Sequence, residues 1–156
     1  MEQPKPDPIA FVAVGSNIEP EKNIPAALVI LRQKVKVLAS STFYLTRPLG
    51  PPGQSAFVNG VWQIETYLQP QKVRDVLRRV ERSLGRIRTE DKYAPRTIDL
   101  DLVFHEGFMG NFPDLNLPHP DLARPFVYVP ILELIGNITY RASLFKGPIT
   151  QFLSKN

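Results

Sequence analysis

The sequence contains no cysteine and only two histidines. The lack of cysteine excludes disulfide scaffolds, thiolate nucleophiles and cysteine-based zinc sites, and two histidines are too few for a three-histidine zinc site. No apolar run approaches the ~20 residues of a membrane-spanning helix. The first residues, MEQPKPDP, are polar and proline-rich, unlike a signal peptide. We therefore expect a soluble, cytoplasmic protein.

The composition that remains is typical of one globular domain. The chain has 156 residues, 43% of them apolar and 22% charged, and no repeat or composition shift divides residues 1–156. Its 16 prolines amount to about 10% of the chain, roughly twice the usual share, which predicts several rigid loops. The net charge of +4 favours an anionic partner such as a nucleotide, a phosphate or a nucleic acid.

Hydrophobic periodicity predicts strands and helices in the order β-α-β-β-α-β. Apolar, β-branched or aromatic runs predict strands at residues 9–14, 35–45, 57–66 and 98–104. Apolar residues at helical spacing predict helices at 21–34 and 70–84, with Gly85 ending the second. This order is typical of a ferredoxin-like α+β fold, in which two helices pack on one face of an antiparallel sheet.

Two further stretches complete the predicted organisation. Residues 46–55 (TRPLGPPGQS) hold three prolines and two glycines, which predicts a constrained loop. Residues 105–156 are predicted to form a helical C-terminal extension. It contains a loop through residues 117–120, a helix at 126–135 and a short helix near 149–153.

Two acidic residues alternate with apolar ones in the segment T-I-D-L-D-L-V-F at residues 97–104. Residues two apart on a strand share a face, so Asp99 and Asp101 should lie together with Cα atoms roughly 7 Å apart. The opposite, core face should carry Ile98, Leu100, Leu102 and Phe104. Mg²⁺ ions that bridge carboxylates to substrate phosphates would offset the repulsion between the acids. A solvated acidic strand face is the alternative.

Arginines precede the acidic pair at positions 86, 88 and 96. Guanidinium groups match phosphate oxygens, and metal-binding acids beside phosphate-binding arginines are typical of phosphoryl transfer. A basic loop that pairs with its own Glu90 and Asp91 is the alternative. The glycine-rich phosphate motifs G-x-x-x-x-G-K-[ST] and G-x-G-x-x-G do not occur. Any nucleotide would therefore be held by arginines and metal ions.

Two smaller features also suggest ligand contacts. Phe57 and Asn59 share a predicted strand face, and an aromatic ring beside an amide suits a flat heterocycle with a hydrogen-bonding edge. His119 stands between two prolines, which fix its backbone. Ordinary packing for the first pair and an incidental loop histidine for the second are the alternatives.

Segments along nearly the whole chain resemble the 6-hydroxymethyl-7,8-dihydropterin pyrophosphokinase family of folate biosynthesis. The segment P-R-T-I-D-L-D at residues 95–101 is highly specific to that family. The other matching segments include V-A-V-G-S-N at 12–17, S-T-F-Y at 41–44, P-L-G-P at 48–51, F-V-N at 57–59, E-T at 65–66, G-R-I-R at 85–88, L-P-H-P at 117–120 and R-P-F at 124–126.

The resemblance implies a ferredoxin-like monomer that transfers a pyrophosphoryl group from ATP to the pterin hydroxymethyl oxygen and releases AMP. It implies neither a nucleic-acid nor a membrane partner. The implied catalytic residues are Arg86, Arg96, Asp99 and Asp101, the two aspartates holding two Mg²⁺ ions. The implied ATP site consists of Glu81, Arg86, Arg88, Arg96, Leu102, His119 and Arg124. The implied pterin site consists of Thr46, Leu49, Phe57, Asn59, Tyr93 and Phe126.

In the resemblance, residues 86–96 correspond to a mobile catalytic loop, and Phe57 and Phe126 sandwich the pterin. Four positions depart from the family pattern and leave their contacts open. Arg47 replaces a common proline, Arg78 a glutamine that contacts the nucleotide, Tyr93 a common tryptophan and Pro120 a tyrosine.

A ferredoxin-like module that binds a nucleotide or RNA without catalysis is the alternative function. The RNA-binding motif K/R-G-F/Y-G/A-F-V-x-F/Y does not occur, and an acidic pair on the binding face would repel phosphate. A catalytically inactive homologue is a third possibility, against which the intact aspartates and arginines argue.

Overall fold

The computed structural model describes residues 7–46, 56–86, 89–91 and 94–135. Within these ranges a five-stranded sheet is formed by β1 (Ile9–Ser16), β2 (Lys36–Ser40), β3 (Tyr44–Thr46), β4 (Phe57–Glu65) and β5 (Asp99–His105). The helices are α1 (Pro20–Arg32), α2 (Pro70–Ser83) and α3 (Pro125–Leu134), with a 3₁₀ helix at Pro120–Ala123. A small hairpin consists of β6 (Gly110–Phe112) and β7 (Leu115–Leu117).

The sheet is antiparallel and separates two apolar layers. Its strands lie in the order β2-β4-β1-β5, and β3 pairs with β4 further along that strand. Helices α1 and α2 contribute Ala27, Leu31 and Leu77 to the larger core, while Val127 of α3 packs in a second core. The antiparallel α+β fold with two helices on one face is confirmed.

Strand β1 is apolar at nearly every position because it lies between the two cores. Ala10, Val12 and Val14 belong to the core beneath α1 and α2. Phe11 and its neighbours Ile9 and Ala13 belong to the core beneath α3. Both faces of this central strand are therefore covered, so apolar and polar residues do not alternate along it.

The strand predicted at residues 35–45 is wrong as one continuous element. It breaks between β2 and β3 because side chains accept hydrogen bonds from two backbone amides there. The hydroxyl of Ser41 accepts a hydrogen bond from the Val61 amide at 2.8 Å. The amide of Thr42 donates to the Glu133 carboxylate of α3 at 2.7 Å. The sheet ladder is therefore interrupted by a serine side chain and by a distant helix.

The predicted core face of β5 is right for Ile98, Leu100 and Leu102 but wrong for Phe104. Val12 of β1 opposes Leu102, whereas Phe11 opposes Phe104, so the register shifts by one residue at this point. Such a bulge reverses the side-chain alternation beyond it. Phe104 consequently packs on the α3 side, with its ring centroid 5.9 Å from that of Phe11.

The extension is partly as predicted. The helix expected at 126–135 is confirmed as α3, but the hairpin of β6 and β7 replaces part of the expected loop. The helix predicted near 149–153 and most of the loop at 46–55 lie outside the described residues. Among the described helices, none combines the length and the apolar character needed to cross a membrane.

Candidate active site

One register row across the sheet brings together the residues predicted for two different ligands. Gly15 of β1 lies opposite Asn59 of β4 on one side and opposite Asp99 of β5 on the other. Neighbouring strands are ~4.8 Å apart, so the Cα atoms of Asn59 and Asp99 are separated by roughly 10 Å. We call Asn59, Gly15 and Asp99 the site row. It lies on the sheet face opposite α1 and α2.

Two guanidinium groups bind the Asp99 carboxylate. Arg86 donates to Oδ1 and Arg96 donates to Oδ2, each at 2.8 Å. These are short charge-assisted contacts, and the Arg86 side chain is only 8% exposed. The predicted proximity of the arginines to the acidic pair is therefore present for Arg86 and Arg96. The alternative pairing with Glu90 and Asp91 is not what holds these two side chains.

The end of α2 explains the position of Arg86. Gly85 has a φ of 79°, and the amides of Gly85 and Arg86 donate to the carbonyls of Arg82 and Glu81, each at 3.0 Å. This pair of contacts is the Schellman motif, in which a glycine adopts the left-handed conformation just after a helix. The helix therefore stops where Arg86 can turn towards β5.

The turn after β1 explains the position of Arg96. The side-chain oxygen of Asn17 accepts a hydrogen bond from the backbone amide of Arg96 at 2.7 Å. The backbone amide of Asn17 donates to the Arg96 carbonyl at 3.1 Å. The Ser16 hydroxyl donates to the Thr97 carbonyl at 2.7 Å. The G-S-N segment thus fixes the chain as it enters β5, a positioning role that sequence reasoning missed.

Strand β5 lies at the edge of the sheet, and side chains of α2 and its C-terminal end cover its backbone. The Leu100 amide donates to the carboxylate of Glu81 at 2.8 Å, and the Leu100 carbonyl accepts from Arg78 at 2.9 Å. Arg86 donates to the Ile98 carbonyl at 2.9 Å. These contacts satisfy backbone groups that an edge strand would otherwise leave for water.

Glu81 is the buried centre of this charged network. It is 1% exposed, and its Oε2 atom lies 3.2 Å from Nη1 of Arg78 and 3.5 Å from Nη1 of Arg86. A buried carboxylate requires such compensation, which the two arginines and the Leu100 amide supply. Three arginines and three carboxylates thus interlock, because Arg78 also lies 3.5 Å from Asp101.

A cavity of about 420 Å³ opens beside Asp101, between α2, β5 and the β6–β7 hairpin. Three predicted site residues line it: Asp101, Leu102 and His119. Arg74, Arg78 and residues of the hairpin also line it and were not predicted as site residues. The four-residue spacing of the two arginines, which puts them on one helix face, was an available signal.

His119, which lines this cavity, and Arg124, which does not, flank the two ends of the 3₁₀ helix. Nδ1 of His119 accepts a hydrogen bond from the Asp121 amide at 3.0 Å, so the neutral ring carries its proton on Nε2. Arg124 donates from Nε to the Asp121 carboxylate at 3.0 Å, and its guanidinium carbon lies 5.9 Å from the Phe126 ring centroid.

Contacts around Asn59 define the other half of the site. The Asn59 amide donates to the Thr46 hydroxyl at 2.6 Å. A Cβ atom on Gly15 would lie only 2.8 Å from Oδ1 of Asn59, so a glycine is needed to seat this amide. The Arg96 guanidinium carbon lies 5.9 Å from the Phe57 ring centroid, which links this half to Asp99.

The donor set at the acidic pair suits a hard divalent cation. Asp99 and Asp101 offer carboxylate oxygens and are 18% and 29% exposed, so an ion could reach them. Among the described residues, no cluster of three or more histidines, aspartates or glutamates could hold an ion. An ion here would therefore complete its shell with water or phosphate oxygens, the arrangement typical of Mg²⁺.

Some of the predicted site residues lie outside the described ranges. Leu49, Arg88 and Tyr93 lie outside the described residues, as do the departing position Arg47 and parts of the predicted loop at 86–96. The predicted stacking of a ligand between Phe57 and Phe126 remains a prediction.

Comparison with known proteins agrees with the resemblance. The model of the 7,8-dihydro-6-hydroxymethylpterin-pyrophosphokinase family matches residues 11–136. A 2-amino-4-hydroxy-6-hydroxymethyldihydropteridine pyrophosphokinase of Haemophilus influenzae is 37% identical over 133 residues, covering 83% of this chain and 82% of that protein. One from Pseudomonas aeruginosa is 38% identical over 132 residues, covering 82% and 81%. This chain therefore belongs to the 7,8-dihydro-6-hydroxymethylpterin-pyrophosphokinase family.

Proposed function

We propose that this protein transfers a pyrophosphoryl group from ATP to the hydroxymethyl group of 6-hydroxymethyl-7,8-dihydropterin, a step of folate biosynthesis. The observation that carries the proposal is the site row. It sets the Asn59 amide beside the Asp99 carboxylate, which two arginines already bind. A noncatalytic nucleotide- or RNA-binding module, the alternative, does not explain this juxtaposition.

Asp99 and Asp101 are proposed to hold two Mg²⁺ ions. When bound, Mg²⁺ neutralises phosphate charge and lowers the pKa of a coordinated hydroxyl. Arg86 and Arg96 are proposed to shift from Asp99 to the ATP phosphates, where guanidinium groups would stabilise the charge that develops during transfer. Their present contacts show that both side chains already reach the acidic strand.

The proposed transfer is a single displacement at phosphorus. The pterin hydroxymethyl oxygen forms a bond to the β-phosphorus of ATP, and its proton passes to solvent water. The bond from that phosphorus to the oxygen shared with the α-phosphorus breaks, and AMP leaves with that oxygen. Asn59 would fix the pterin edge and Phe57 would lie against its ring, which holds the nucleophile in place.

The two substrates are proposed to occupy opposite sides of Asp99. The cavity beside Asp101 has room for the nucleotide, and Glu81, Arg88, Leu102, His119 and Arg124 are the proposed ATP-site residues. The proposed pterin site contains Thr46, Leu49, Phe57, Asn59, Tyr93 and Phe126. The cytoplasmic location and the monomeric state stay predictions from the sequence.

The first test supplies the protein with Mg²⁺, ATP and the pterin and separates the nucleotide products. AMP that forms only in the presence of the pterin is the expected result. Asp99→Asn and Asp101→Asn should each lower turnover by about 10³-fold or more. Each change removes a carboxylate ligand of the metal ions that would neutralise the phosphate charge. Asp75→Asn, an exposed acid on α2, is the matched control and should keep wild-type turnover.

Two outcomes would contradict this function. ADP as the nucleotide product would mean transfer of a single phosphoryl group. Full turnover in either site variant would mean that the acidic pair does not hold the metal ions. Thermal melting of each variant shows whether a loss of turnover comes from unfolding.

A further inference from the structure

Arg78 connects the cavity with the acidic pair. It lines the cavity, and its side chain is 19% exposed. One terminal nitrogen, Nη1, donates to the Leu100 carbonyl at 2.9 Å and lies 3.2 Å from Glu81. The other, Nη2, lies 3.5 Å from Oδ1 of Asp101. Arg78 is therefore anchored at one nitrogen and reaches the proposed metal ligand with the other.

Among the described residues, the arginine contacts to the two carboxylates of the acidic pair differ in length. The two guanidinium contacts to Asp99 are 2.8 Å long, whereas that between Arg78 and Asp101 is 3.5 Å long. A separation of 3.5 Å is at the outer limit of a hydrogen bond, so its directional part is weak. The Nη2 contact can therefore be released while Nη1 keeps its bond to Leu100.

We propose that Arg78 is a positioning residue that competes with a divalent cation for Asp101, so that the cation binds tightly only together with the nucleotide. The inference rests on the proposed function. The guanidinium of Arg78 would repel an ion on Asp101 in the nucleotide-free protein. Nucleotide phosphates in the cavity would offset both positive charges and draw Nη2 away from Asp101.

Such competition is a property of this chain and not of the acidic pair itself. In the family resemblance, glutamine, an uncharged residue, is common at position 78. The variant Arg78→Gln therefore removes the charge and keeps a polar side chain. Arg79→Gln removes the same charge from the next position of α2, where the side chain is exposed, and is the matched control.

The experiment titrates Mn²⁺, observed by electron paramagnetic resonance, into the nucleotide-free protein. At equal ionic strength Arg78→Gln should bind Mn²⁺ about tenfold more tightly than the wild type, because one repelling charge near the ion is gone. Arg79→Gln should match the wild type. With a non-hydrolysable ATP analogue at saturation, the difference between Arg78→Gln and the wild type should shrink, so that the coupling between ion and nucleotide falls.

An unchanged or weaker Mn²⁺ affinity in Arg78→Gln would overturn the inference, because Arg78 would then be inert or would pre-orient Asp101. If that variant does not fold, Arg78→Lys keeps the charge and should keep the wild-type affinity. A tenfold gain in the lysine variant would equally overturn the inference. No Mn²⁺ binding in any protein, with or without the analogue, would overturn the proposed metal site as well, which separates the two failures.

Discussion

Two register rows of the same three strands, five residues apart on β1, serve opposite purposes. The site row carries Asn59, Gly15 and Asp99. The row at the other end, which we call the far row, carries Ile64, Ala10 and His105, all with no exposed surface. The difference shows that apolar packing stabilises the end with the far row, whereas polar groups occupy the end with the site row. One end is sealed by packing, and the other leaves hydrogen-bonding groups within reach of a ligand.

The site row also depends on segments that are distant along the chain. Asn17 holds Arg96 across 79 residues, and Glu81 reaches Leu100 across 19. The far row is made largely by strand pairing and apolar contact. Substitutions in the site row should therefore change catalysis more than stability, and those in the far row the reverse.

The largest effect is expected from Arg96→Ala, a substitution beside the site row. Arg96 donates to Asp99 at 2.8 Å and is proposed to stabilise transferring phosphate. Its loss should slow the chemical step by about 10²–10³-fold and change pterin affinity little. Single-turnover kinetics and pterin binding measure the two quantities separately. Arg82→Ala, an exposed arginine on α2, is the control. Weakened pterin binding with an unchanged chemical step would reverse the assigned role.

Gly15→Ala should act on the pterin side without removing any site side chain. The new Cβ atom would lie 2.8 Å from Oδ1 of Asn59, and the amide, as the end of a flexible side chain, can move away. The pterin KM should rise about tenfold, which corresponds to the loss of one good hydrogen bond, while ATP binding is retained.

Gly60→Ala is the matched control on β4. Its Cβ atom would lie 2.7 Å from the ring of Phe43, a partly buried side chain that packs against the larger core and would have to shift. It should lower the free energy of unfolding and leave the pterin KM of the folded protein unchanged. Equal KM values in wild type and Gly15→Ala would show that Asn59 does not read the pterin.

The parts of this arrangement that local pattern encodes were predictable. The alternation of acidic and apolar residues predicted that Asp99 and Asp101 lie on one face of their strand and Leu100 on the other. Gly85 predicted the end of α2. The parts that depend on distant partners were not. The bulge that turns Phe104 to the α3 side arises from pairing with β1, and the break after β2 arises from Glu133, 91 residues from Thr42. The strands of the β6–β7 hairpin have three residues each, too few for periodicity to be visible.

The smallest effect is expected from His105 in the far row, and it concerns stability and not turnover. The Gly107 amide donates to Nδ1 at 3.1 Å, so the proton is on Nε2, which lies 3.2 Å from the Leu68 carbonyl. Burial lowers the pKa of His105 below its usual 6.5. The unfolded chain therefore takes up a proton at higher pH than the folded one. The stabilisation from neutral His105 is complete above the unfolded pKa and is lost as the pH falls towards the folded one.

Urea unfolding at pH values between about 7.5 and 5.5 measures this dependence. The free energy of unfolding of the wild type should fall more steeply as the pH is lowered than that of His105→Gln, which has no ring to protonate. Pyrophosphoryl transfer should be unchanged in that variant at pH 7.5, because His105 lies at the opposite end of β5 from Asp99. Equal pH slopes would mean that the ring is protonated as readily in the folded chain as in the unfolded one. A loss of turnover without a loss of stability would instead mean that the two rows are not independent.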